Sequence, residues 1–123
     1  MKYKHIPIKI YDWDLYFFDM GKISKRDPIL KKLNTLIGKE NTKEVKKIAY
    51  GNSINGGDHY FDYKFKISVV IVYKTTSYKE KMGTIIHELQ HSVDRICEGA
   101  KIKDIEARAY LMQFIGKKIL TSI

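Results

Sequence analysis

The chain has 123 residues, 44% hydrophobic and 30% charged, with a formal net charge of +9. That length suits one domain with a core of its own, and no run reaches the roughly 18 apolar residues of a membrane span, so no membrane partner is expected. Only three of the 23 basic residues are arginine and the lysines are spread along the chain, so the charge implies at most non-specific attraction to nucleic acid.

The N-terminal stretch alternates as a strand would, with Ile6, Ile8 and Ile10 on one face. Pro7 removes a ladder donor and predicts an edge. Charges scattered through the first residues leave no apolar segment for a secretory signal. Leu15 to Phe18 reads as a second strand and "DMGK" as a turn. Asp27-Pro28 has the form of a helix start, Ile29, Leu30, Leu33, Leu36 and Ile37 recur at helical spacing, and Gly38 ends the run. Residues 42 to 49 fit a short helix or a strand equally well.

"GNSINGGDHY", residues 51 to 60, is loop chemistry. It leads into an alternating stretch from Tyr60 to Ile67 and a buried-type strand from Val69 to Tyr73. Ser77 to Cys97 then reads as a helix with Ile86, Leu89, Val93 and Ile96 as its core stripe, and Ile105 to Leu120 as a final helix. The order predicts an α+β fold, a single domain over 1–123 with a mixed sheet packed against these two helices. The single cysteine, Cys97, can form no internal disulfide, falls among apolar neighbours and is expected to be a core thiol.

Within the long helix stands "HELQH", residues 87 to 91. Residues four apart share a helix face, about 6 Å along the axis, so His87 and His91 can present imidazoles to one ion. Glu88 is turned about 100° from His87, close enough to reach a water on that ion. Two imidazoles, a third ligand and a water make the coordination set of a catalytic Zn²⁺, with Glu88 as the general base.

Three downstream acids are candidates for the third ligand. Asp94, three after His91, suits a supporting hydrogen bond to a histidine better than the metal itself. Glu98 lies about 10 Å along the axis and out of reach. Glu106 opens the next helix. The link from 98 to 104, at about 3.3 Å per residue, is long enough to bring Glu106 back level with His91. Tyr110, four after Glu106, shares its face and could support a ligand or simply pack. His5 and His59 are far from the motif in sequence; either could approach the site, but a surface or turn role is the favoured reading.

"MGTIIHELQHSVDRI" followed by "DIEARAYLMQFIGKKIL" resembles the zincin metallopeptidases of the gluzincin branch. More narrowly, it looks like small zincin-like proteins encoded by phages and prophages. The pieces that match are Ile6-Pro7-Ile8, Gly56-Gly57 with Val69 to Tyr73, Gly83 to His91, and Glu106 to Leu111. The resemblance implies a zincin-like fold with His87, His91 and Glu106 as zinc ligands and Glu88 as base. The first functional hypothesis is a zinc-dependent metallopeptidase acting on a peptide or protein substrate, whose extended segment would pair with the sheet edge around residues 60 to 74.

A non-catalytic alternative uses the same scaffold as a virion component, for instance in a portal or tail-ring assembly with other phage proteins. A third, a nucleic-acid-associated accessory protein, rests on charge alone. The expected location is the cytoplasm of a bacterial host or the virion.

Overall fold

The computed structural model describes residues 2–19, 27–43, 56–73 and 77–121. β1 (Lys2–Ile8) leads through a 3-10 turn (Lys9–Tyr11) into β2 (Trp13–Asp19). Asp12, at φ 54°, closes that turn in the left-handed conformation that Asp tolerates better than most residues. α1 (Asp27–Ile37) and α2, described over 39–43, precede the hairpin of β3 (Gly57–Asp62) and β4 (Ile67–Val72). α3 (Tyr78–Gly99) and α4 (Ile105–Leu120) complete the chain.

The four strands form one mixed sheet in the order β1-β2-β4-β3, with β2 and β4 parallel at its centre and both outer pairs antiparallel. The alternation of side chains along each strand sorts the residues into two cores. Ile6, Ile8, Trp13, Leu15, Phe17, Val70 and Val72 face α3 and α4, where they meet Leu89, Val93, Ile96, Leu111 and Ile115. Tyr16, Phe18, Tyr60, Val69 and Ile71 face the other way and pack with Leu33 of α1. The fold is therefore α+β, with helices on both faces of the sheet; the sequence reading had accounted for only the α3/α4 side.

α3 and α4 both have side-chain caps. Ser77 accepts a hydrogen bond from the backbone of Glu80 at 3.1 Å, and Asp104 accepts from Ala107 at 3.1 Å. Cys97 is fully buried, as a core thiol should be, and burial raises its pKa. No helix among the described residues is long and apolar enough to cross a membrane.

Four expectations change in detail. Ile10 does not extend the Ile6–Ile8 face: it lies in the 3-10 turn and is 82% exposed. The Tyr60–Ile67 stretch is broken by a turn over 63–66, where Lys66 takes φ 53°. Gly57 to Tyr60 belong to β3 and not to a loop, and in the α3 stripe Ile85 is buried where Ile86 is 55% exposed. The "DMGK" turn beyond Asp19 and residues 44–49 fall outside the described residues.

Candidate metal centre

β3 crosses α3, and the close approach depends on Gly57. A Cβ at that position would collide with the Thr84 methyl and come within 3.1 Å of Glu88 Cγ and 3.3 Å of its Oε1. With no side chain there, the backbone of the edge strand settles directly over Glu88, which is only 6% exposed. A carboxylate that deeply placed is costly unless it is hydrogen-bonded. His59, two residues along β3 and so on the same face, supplies a partner: its Nδ1 lies 3.2 Å from Glu88 Oε2. With Glu88 ionised, that bond requires the proton on Nδ1.

His87 and His91 stand one turn apart on α3 with their Nε2 atoms 3.2 Å from each other. A zinc–imidazole bond is about 2.0–2.1 Å, so a single point can lie within bonding distance of both nitrogens. The same separation allows one ring to donate its N–H to the other's lone pair when no ion is bound. The rings meet edge to face at 79°, and the His59 ring lies parallel to His91 at a centroid distance of 4.7 Å. His91 is thereby held between its helix neighbour and the edge strand.

Asp94 makes its side-chain hydrogen bonds elsewhere than to a histidine. Its Oδ1 accepts from Arg108 at 3.3 Å and from Gln90 at 3.3 Å, while Arg108 also donates to the carbonyl of Ile102 at 3.1 Å. Asp94 thus ties α3 to α4. A polar pocket of about 310 Å³ opens beside His91, walled by Asp94, Arg95, Glu98 and Arg108. In it Glu98 accepts from Tyr63 at 2.8 Å and Arg95 at 3.1 Å; the Tyr63 bond first, then Arg95, holds its carboxyl below the usual carboxylate range.

Glu106 lies exposed in the first turn of α4. It is about 200° round the helix from Arg108, the residue that α4 turns towards α3. Leu111, Ile115 and Ile119 form the buried stripe of α4, and Tyr110, 66% exposed, borders a groove on the β1 side. Among the described residues, no three His, Cys, Asp or Glu side chains converge as a complete metal site would require. His87 and His91 are brought together, Glu88 turns to His59, and Glu106 lies exposed on α4 while Tyr110 borders the β1 groove.

His59, which the sequence reading favoured as a surface or turn histidine, is instead the partner of Glu88. It lies 29 positions from Glu88, and nothing local marks it as a partner. The available signal was parity: Gly57, His59 and Phe61 alternate onto one strand face, with a glycine where a helix could approach.

Comparison with known proteins adds no relation: no family model matches the chain, and neither a curated protein nor a solved structure does.

Proposed function

We propose that this chain is a zinc-dependent metallopeptidase of zincin type, with His87 and His91 as metal ligands and Glu88 as general base. The observation that supports it most is the pair of Nε2 atoms 3.2 Å apart, with a buried carboxylate one residue from His87. Zinc, when bound, would supply Lewis acidity that polarises a water and the scissile carbonyl. Glu88 takes the proton of the attacking water and passes it to the leaving amine. His59 holds Oε2 of that carboxylate and fixes its orientation while the proton moves. Among the described strands β3 is the outer one on this side, with β4 inside it, and an extended peptide substrate would run beside β3.

The test is hydrolysis of a mixed peptide library by zinc-loaded protein. Glu88→Gln should retain zinc and lose about 10²–10⁴-fold in rate, the usual contribution of a general base. Retained activity in that variant would end the proposal. Glu106→Ala, assayed for metal, decides whether this residue completes the ligand set; loss of zinc would require α4 to turn Glu106 towards His91.

A second reading, a non-catalytic virion component, draws on the exposed apolar groove along β1. Zinc binding with no hydrolysis of any peptide would favour it.

A further inference from the structure

At the opposite edge of the sheet, a cavity of about 830 Å³ runs between β1 and α4, larger than the pocket beside His91 and without either motif histidine. Ile10, Tyr110 and Phe114 border it at 82%, 66% and 42% exposure. Large apolar side chains left open together in a concave surface mark a binding site more often than single exposed ones do. Every residue from Lys4 to Tyr11 borders the cavity, whichever way its side chain points. The outer edge of the strand therefore faces an occupant as well, since among the described strands β1 pairs with β2 alone.

The charge on this groove selects the occupant. Lys4, Lys9 and Lys118 border it, and among the described lining residues there is neither Asp nor Glu. Glu106, one residue before Ala107 of the lining, is not part of it. A second copy of the chain in a two-fold contact would bring the same lysines face to face, on a molecule that already carries +9. An acidic segment meets the opposite charge.

We infer that the β1/α4 groove binds an extended acidic segment of a partner protein. Its backbone runs along β1 and its apolar side chains insert beside Ile10, Tyr110 and Phe114. Pro7 offers no N–H at its position, which interrupts main-chain pairing and shifts affinity towards the aromatic anchors. This inference does not depend on the metal centre and would hold for an enzyme or an assembly protein.

The experiment is selection from a displayed library of random 12-residue peptides against the wild-type chain, followed by affinity measurement of the enriched peptides in solution. Enriched sequences should combine Asp or Glu with aromatic or aliphatic residues. Phe114→Lys should weaken them by roughly 30-fold, as loss of an interface hot spot does. Lys4→Glu with Lys9→Glu should weaken them as well, with the loss shrinking at high salt. Circular dichroism and the thermal midpoint confirm that the variants fold, and Phe114→Lys should leave zinc content unchanged. The inference is overturned if nothing is enriched, if enriched peptides lack acidic residues, or if they bind Phe114→Lys as tightly as wild type. A concentration-dependent dimer that Phe114→Lys abolishes would overturn it in favour of a second copy.

Discussion

The two edges of the sheet, β1 and β3, start from the same backbone and end with opposite chemistry. Each is an outer strand among the described residues, with one face packed over a helix. On β3 the residues facing α3 are Gly57, His59 and Phe61: a gap, an imidazole and a ring. The gap lets α3 rise against the strand, so Glu88 is buried and His59 reaches it. On β1 the residues facing α4 include Ile6 and Ile8, and the groove beside them stays apolar with lysines around it. The glycine on β3 leaves room for a buried carboxylate against the strand, whereas the β1 groove presents apolar side chains with lysines at its border. Strand parity and the size of one residue set this structural difference between the two edges.

If that comparison is right, substitutions on β3 should damage the metal centre without touching the groove. His59→Phe keeps a ring against His91 but loses the bond to Glu88. It should retain zinc and lower kcat by about 10- to 100-fold, the scale of removing a supporting hydrogen bond around such a site, with KM little changed. His59→Gln, which can still donate to the carboxylate, should recover part of the loss. Loss of zinc or of the folded signal in His59→Phe would show that His59 supports the structure and not the base.

Gly57→Ala tests the gap directly. The added methyl meets Thr84 and Glu88, so β3 must lift from α3. The expected cost is about 1–3 kcal/mol in urea unfolding, the range for overpacking, with a parallel loss of hydrolysis and no change in peptide binding at β1. An unchanged midpoint would mean that β3 does not sit within contact distance of Thr84 and Glu88 at Gly57.

The smallest effect concerns Tyr63 and Glu98, at the rim of the site. The bond from Tyr63 lowers the folded-state pKa of Glu98. A lowered carboxylate pKa stabilises the fold above the ordinary carboxylate value, and that contribution is lost as pH falls through the folded value. Tyr63→Phe should therefore be slightly less stable than wild type near neutrality. The gap between their urea midpoints should close on acidification through the Glu98 range. Because Glu98 is exposed, the difference is small and shrinks with salt. A gap that widens in acid would contradict the assignment.

The helices were the legible part of the chain. Ser77 and Asp104 are local signals, and the histidine spacing specifies a shared face with no tertiary information. The burial of single positions was harder to read. Ile86 and Cys97 lie within about 20° of each other round α3, yet one is exposed and the other buried. Helical angle cannot separate them; the elements packed on that side do. The break between β3 and β4 was hidden because Tyr63 and Phe65 continue an apolar alternation through the turn itself. His59 and the orientation of Glu106 were illegible for one shared reason: each depends on how a distant element docks on α3. The link from His91 to Glu106 has the reach to bring them level, but reach does not fix which face α4 turns inward, and it turns Arg108.

The most direct test of the account is the zinc content of wild-type protein purified without an affinity tag, measured beside His87→Ala and His91→Ala. The account predicts about one zinc per chain in the wild type and loss from both variants, with the fold intact by circular dichroism. Wild-type protein that takes up no zinc when the metal is offered, or variants that keep it, would contradict the metal centre. The 3.2 Å contact would then be a hydrogen bond between two histidines.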